Sequence, residues 1–319
     1  MQTRGRTAGL LIVALAVVGL ALLVTARFGQ APVAVSSPSL SASATEGSAT
    51  ASPGATPASS QGQAILLAVG DIGYCGANND DLVGQLAASL PGTIALLGDN
   101  AYDKGSVSDY ANCFDPTWGP LRDRLRPVPG NHEFETRHAA GYFAYFGAAV
   151  GTPGEGWYSY DLGTWHLIAL DSECGAIEGG CGKGSAELAW LWDDLAAHPA
   201  LCTLAYWHHP RYSSGRHGDN AMTAKFWAAL SHAGVDVVLE GHDHDYERIA
   251  PIDGIRSFVV GTGGRSLYAW PGSPGPHTEV RNNDTYGLLQ LTLRPTDFSW
   301  RFVPAAGGSF TDSGTSACH

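Results

Sequence analysis

Lysine is almost missing from this 319-residue chain, with Lys104, Lys183 and Lys225 the only three. Lysine and arginine together number 18 against 30 aspartates and glutamates, a formal net charge of -12 with a pI near 5.3. That balance excludes binding to nucleic acid or anionic lipid by general electrostatics, because phosphate backbones reward clustered basic side chains. A phosphorylated ligand must then meet its positive charge locally, in metal ions, arginine or histidine. No C-x-x-C pair occurs, which argues against cysteine as a metal ligand. No internal repeat is evident. What the chain does have is 44% hydrophobic positions, enough for one sizeable core in one globular domain.

At the amino terminus, Arg4 and Arg6 precede an apolar run from Ala8 to Val24, closed by the small residues Thr25 and Ala26. Residues 1–30 read as an export signal, either a cleavable signal peptide or a signal anchor, since the run lies between the two lengths. Residues 31–62 turn to Ser, Ala, Pro, Thr and Gly with Glu46 the only charge, the composition of a disordered linker. A tether of this kind favours an anchor in the membrane, with residues 63–319 as the folded domain outside the cytoplasm. Six cysteines all lie beyond the linker, and an even count in an exported chain fits three disulfides. Cys174 and Cys181 flank a Gly-rich loop and are candidates to pair. Cys318 gains most from being tied down, with Cys202 as its candidate partner.

Apolar runs of strand length then recur, and each ends on glycine followed by a polar group or on histidine. Ala64–Val69 leads to Gly70-Asp71, Thr93–Leu97 to Gly98-Asp99-Asn100-Ala101-Tyr102, and Arg126–Pro129 to Gly130-Asn131-His132-Glu133. Thr203–Trp207 delivers His208-His209-Pro210, and Val235–Leu239 delivers Gly241-His242-Asp243-His244. Between them, Asp80–Leu90, Ser185–His198 and Asn220–His232 carry helical periodicity, with Ser185 a cap and Gly234 a stop. Trp157–Tyr160 and Trp165–Leu170 read as a hairpin. The βαβ succession predicts an α/β fold of parallel strands with an antiparallel supplement, and Ser257–Gly261, Tyr286–Leu293 and Ser299–Val303 complete a second sheet. Ligand sites in open α/β sheets gather beyond the carboxyl ends of strands, so these endings are expected to converge.

His242-x-His244 alone is a weak metal signal. With Asp71, Asp99, Tyr102, Asn131 and His208 it becomes a mixed oxygen and nitrogen set of seven, which suits two ions sharing one carboxylate, Asp99. Phenolate, carboxylate and imidazole together favour a hard trivalent ion beside zinc, manganese or ferrous iron. Bland readings hold for other residues. His209 bonds within its turn, His198 ends a helix, and His138, His166, His232 and His277 are surface or core histidines. Asp243, Asp245 and Glu133 are candidates to orient the ligands from behind. Arg248 and Arg265, near Gly261-Thr262-Gly263-Gly264, are candidates to bind an anion, although turning is the default role of such a glycine run.

The blocks GDIG, GDNAY, GNHE, WHHP and GHDH, in this order from Gly70 to His244, resemble the five metal blocks of the purple acid phosphatases, within the calcineurin-like metallophosphoesterases. The fourth block departs slightly, with Ala205 where the family usually has valine. The resemblance implies a mixed β-sheet sandwich flanked by helices and an acid phosphatase acting on small phosphomonoesters. It implies Fe(III) on Asp71, Asp99, Tyr102 and His244, and a divalent Zn, Mn or Fe ion on Asp99, Asn131, His208 and His242. His132 and His217 would face the substrate as acids, His217 lying at the family's offset from His208. Two such cations would neutralise phosphate charge, acidify a water to give hydroxide and clamp an in-line displacement. A phosphodiesterase using the same site is the nearest alternative, and a tethered binding module with structural metals the more distant one.

Overall fold

Alternate side chains of a strand face opposite ways, so a strand apolar throughout needs a partner layer on both sides. The computed structural model, which describes residues 62–319, supplies them. The export-signal and linker readings fall outside the described residues, save for Gly62. In chain order the strands are β1 (Ala64–Val69), β2 (Thr93–Leu97), β3 (Leu125–Val128), β4 (Tyr158–Leu162), β5 (Trp165–Ala169), β6 (Cys202–Tyr206) and β7 (Val237–Glu240). They continue with β8 (Tyr246–Ile252), β9 (Ile255–Val260), β10 (Thr278–Asn282), β11 (Gly287–Leu293), β12 (Asp297–Pro304) and β13 (Ser313–Ala317).

One sheet has the order β13-β12-β11-β1-β2-β3 and the other β10-β8-β9-β7-β6-β5-β4. Strands β1, β2 and β3 are parallel, as are β5, β6, β7 and β9, and antiparallel strands extend both sheets. In β1, Leu66 and Ala68 enter the core between the sheets, among Leu204, Leu239 and Phe258 of the facing sheet. Leu67 and Val69 point outward onto Val83 and Ala87 of the helix Asn79–Ser89, and onto Phe114 and Trp118. The second sheet is covered likewise: Ile168, Ala205 and Val238 meet Leu188 and Leu191 of the helix Ala186–Ala197, and Phe226 and Leu230 of the helix Ala224–Ala233. The expected sandwich between helices is therefore present.

Ser185 caps its helix by accepting from the Leu188 amide at 3.2 Å, and Gly234 closes the other in the left-handed region at φ 75°. Corrections concern the late strands. Tyr286–Leu293 and Ser299–Val303 were expected in a second sheet, but β11 and β12 join the first, where β11 pairs antiparallel with β1. Alternation reveals a strand and its buried face, not its neighbour. The helix expected from Asn220 begins at Ala224, because the preceding turn is closed by the Asn220 carboxamide accepting from the Met222 amide. Disulfides join Cys75 to Cys113, Cys174 to Cys181 and Cys202 to Cys318. Among the described residues no helix is long and apolar enough to cross a membrane.

Candidate metal centre

The carboxyl ends of β1, β2 and β3 in one sheet and of β6 and β7 in the other meet at one rim of the sandwich. There the backbone turns sharply, and Asp71, Asp99 and His242 adopt φ of 63°, 50° and 68°, a region that non-glycine residues rarely enter. The turns are held by neighbours: the Asp71 amide donates to the Gly98 carbonyl at 3.1 Å, the Ile72 amide to the Asp99 carbonyl at 3.0 Å, and the His242 amide to Asp71 Oδ2 at 2.9 Å. The glycines before the polar residues make room. A Cβ on Gly98 would lie within 2.7 Å of the His208 ring, and one on Gly130 within 2.4 Å of Asp99 Oδ1.

All seven expected ligands come together, in two groups that share Asp99. The Tyr102 hydroxyl lies 3.0 Å from Asp71 Oδ1, 2.9 Å from Asp99 Oδ2 and 3.3 Å from His244 Nε2. His208 Nε2 lies 3.4 Å from Asp99 Oδ1, 3.3 Å from Asn131 Oδ1 and 3.2 Å from His242 Nδ1. Asp71, Asp99, Tyr102, His208 and His244 are buried. A carbonyl oxygen can only accept, so His208 Nδ1, 2.7 Å from the Leu97 carbonyl, and His244 Nδ1, 2.6 Å from that of Ser266, carry the protons. Each Nε2 of the neutral ring then presents a bare lone pair to carboxylate, phenol, amide or imidazole acceptors. Convergent lone pairs around two points, sharing one carboxylate, are what a pair of cations fits.

Without a cation a proton takes its place, since the neighbouring carboxylates raise both His208 and His244 against burial. Burial and the charges of Asp71 and Asp99 push the Tyr102 phenol well above its usual range, so only a strong cation at this point could hold a phenolate. Burial opposes charge on His208, yet Asp99 outweighs it and raises His208 to about 10, while His208 in turn holds Asp99 far below the usual carboxylate range against its own burial. Burial and His208 hold His242 well below the ordinary imidazole value.

His132 and His217 flank the group on different sides. The His132 ring is 4.4 Å from that of Tyr102 and its amide donates to Asp99 Oδ1, while the exposed His217 ring is 4.2 Å from that of His242. Burial, with His244 and Arg216, lowers His217. His209 bonds Glu173 at 2.9 Å, and His198 caps its helix. The orienting role expected of Asp243, Asp245 and Glu133 falls instead to the Leu97 and Ser266 carbonyls. Glu133 braces the turns, accepting from the amides of Asn100, Ala101 and Gly130, and burial with Asp99 raises it to about 8. Asp243 fixes the loop of His217, whose amide donates to it at 2.7 Å. Arg248 is no anion site, being paired with Glu279 and Asp312. Sequence reasoning missed Tyr268, stacked on His244 at 4.0 Å, and Arg216, whose only signal was its place beside His217.

A second group, His166, Asp194 and His198, could be mistaken for another metal site. Its imidazoles are stacked 4.6 Å apart with planes 14° from parallel, so their lone pairs do not converge, and both His166 nitrogens already face carboxylates.

The pattern of the calcineurin-like phosphoesterase family matches residues 65–246. The chain is 28% identical to purple acid phosphatase 15 of Arabidopsis thaliana over 61% of its own length and 42% of that protein. It is 28% identical to the human acid phosphatase type 7, over 66% of this chain and 52% of that one. It thus spans about half the length of these relatives. Among solved structures, a purple acid phosphatase from yellow lupin seeds superposes with a TM-score of 0.68 at 18% identity, covering 79% of this chain and 53% of that one. The anchor in the inner membrane complex of Plasmodium superposes at 0.65 with 18% identity, covering 78% and 88%. These structures share the fold, which serves more than one purpose.

Proposed function

The chain belongs to the calcineurin-like phosphoesterase family, and from that premise we propose that it is an exported dinuclear-metal acid phosphatase that hydrolyses phosphomonoesters. The observation that carries this reading is the pair of convergent lone-pair groups joined by Asp99, whose Oδ1 faces His208 and whose Oδ2 faces Tyr102. Asp71, Asp99, Tyr102 and His244 would hold the harder ion, Fe(III), and Asp99, Asn131, His208 and His242 the divalent one, Zn, Mn or Fe. Two cations there would supply charge neutralisation and an acidified water as nucleophile. The protein's part is to keep the donors fixed on buried strand ends, so that little reorganisation is needed when charge develops on the phosphoryl group. His132 and His217, on different flanks, would protonate the departing alkoxide, a contribution typically worth about two to four powers of ten. The three disulfides support a location outside the cytoplasm, where such bonds persist. Residues 1–30 would direct export and, with the linker, anchor residues 63–319 at the outer face of the membrane.

The test is turnover after loading with iron and zinc. A chromogenic phosphomonoester should be hydrolysed and the matching diester not, and the protein should show a visible charge-transfer band that Tyr102→Phe abolishes. Turnover of the diester instead would make the site a phosphodiesterase. Turnover of neither would leave the tethered binding module. Hydrolysis without iron or band would keep the phosphoesterase and discard Fe(III).

A further inference from the structure

Two guanidinium groups stand at the mouth of the metal centre, and none of the ligand geometry uses them. Arg216 precedes His217 in the loop after β6, is exposed, and lies 4.9 Å over the ring of Tyr268, itself stacked on His244. Arg265 follows the glycine run after β9 and lies 3.9 Å over the ring of Tyr74 and 5.1 Å over that of Tyr102. Arg216 is thus one aromatic ring away from the candidate ligand His244, and Arg265 lies over the ring of the candidate ligand Tyr102 itself. The rings link the two: Tyr268 under Arg216 stacks on His244 at 4.0 Å, and His244 lies 6.3 Å from the ring of Tyr102, over which Arg265 sits.

Four other arginines of this acidic chain are held by carboxylates or carbonyls. Arg248 and Arg256 pair with Glu279, Arg294 pairs with Asp297, and Arg124 donates to the carbonyls of Ala87, Leu90 and Gly92. Among the described residues no carboxylate lies within 4.0 Å of Arg216. Arg265 has only Asp103, at 3.6 Å and 63% exposed, a pairing that solvent screens heavily. Stacking on a ring fixes the plane of a guanidinium and leaves its N–H edges free, the arrangement that suits two-point binding of carboxylate or phosphate. Among the described residues neither guanidinium bonds the donors of the metal centre.

We propose that Arg216 and Arg265 form a second anion subsite, which makes the centre prefer phosphate esters that carry a further anionic group over simple monoesters. The proposal rests on the phosphomonoesterase reading above and names its substrate class. The recognised chemistry is a planar oxyanion or phosphate next to the ester, and the two sources are separable.

The experiment compares kcat/KM of the iron- and zinc-loaded protein for phenyl phosphate, 3-carboxyphenyl phosphate and benzene-1,3-diyl bisphosphate. At least one doubly anionic ester should exceed phenyl phosphate by about ten-fold, the value of one good charge-assisted contact, and Arg216→Gln and Arg265→Gln should each remove most of that ratio. A gain for the carboxylated ester alone assigns a carboxylate, and a gain for the bisphosphate alone assigns a phosphate. Arg122→Gln, an exposed arginine over the ring of Tyr145 outside the site, should keep the wild-type ratio. Calorimetric titration with methylenediphosphonate and methylphosphonate gives a readout without turnover, and the bisphosphonate should lose affinity about ten-fold in each site variant. A wild-type ratio near one, a ratio unmoved in both site variants, or one that falls equally in Arg122→Gln overturns the subsite. Absence of all hydrolysis with the bisphosphonate preference intact overturns the hydrolase reading and leaves the subsite standing.

Discussion

The left-handed backbone at Asp71, Asp99 and His242 makes the centre a matter of single residues. Each such turn costs about 1–2 kcal/mol relative to ordinary backbone, and the surrounding hydrogen bonds hold it there. The preceding glycines are required by space as much as by conformation. Gly98 has φ 84°, and an added methyl would strike the His208 ring. Gly98→Ala should lower the free energy of unfolding by about 2 kcal/mol or more and weaken metal uptake. Denaturant unfolding and metal titration check both, and a variant with wild-type midpoint and metal content would remove the crowding argument. At this scale the sequence was legible where a residue type announced itself, as in the repeated glycine followed by aspartate, asparagine or histidine. It was mute where the partner is backbone. The carbonyls of Leu97 and Ser266 select the histidine tautomers, and any residue supplies a carbonyl.

The helix Ala186–Ala197 is pinned to its sheet by a buried ionic contact. His166 on β5 lies with Nε2 2.9 Å from Asp194 of the helix and Nδ1 3.0 Å from Asp161 on β4, while His198 also contacts Asp194, at 3.2 Å. Burial works against charge on both partners, but their contacts raise His166 above its ordinary 6.5 and lower Asp194 below its ordinary 3.8. A raised histidine contributes stability that is complete below 6.5 and fades as pH climbs through the folded value; a lowered aspartate contributes above 3.8 and fades as pH falls through its folded value. The contact is therefore fully expressed between those limits. His166→Gln should cost about 1.5–3 kcal/mol near pH 5, the range for a charge-assisted bond, and less at alkaline pH beyond the raised folded value. Urea unfolding at the two pH values measures this, and a pH-independent difference would refute the ionic account. Element by element, β1 and β2 matched their apolar runs to the residue because both faces are buried. Strands β10 and β13 escaped notice, since Thr278–Asn282 and Ser313–Ala317 are polar edge segments stabilised by one neighbour each.

Across the whole molecule, the disulfide Cys202–Cys318 bridges a separation of 116 residues and ties the end of the chain to the start of β6. Closing a loop of that size is worth about 4–5 kcal/mol in the chain-entropy account, against about 2–3 kcal/mol for a short one. Cys202→Ala with Cys318→Ala should therefore lower the unfolding free energy more than Cys174→Ala with Cys181→Ala, whose separation is 7 residues. Equal losses in denaturant titrations would show that local packing, not loop closure, sets the contribution. These two pairings were readable from the loop between Cys174 and Cys181 and from the exposed carboxyl end. The placement of the last strands was not, because pairing across the length of a chain leaves no local mark.

That long-range pairing also governs when the molecule comes into being. Strand β1, the first of the sandwich to be made, is central in its sheet and has to wait for β11, one of the last, to occupy its free edge. The aspartates arrive early in synthesis and the histidines late, on opposite sheets. A chain that stops before β6 thus carries four of the seven candidate donors, Asp71, Asp99, Tyr102 and Asn131, and the set is complete only once β6 and β7 have been made.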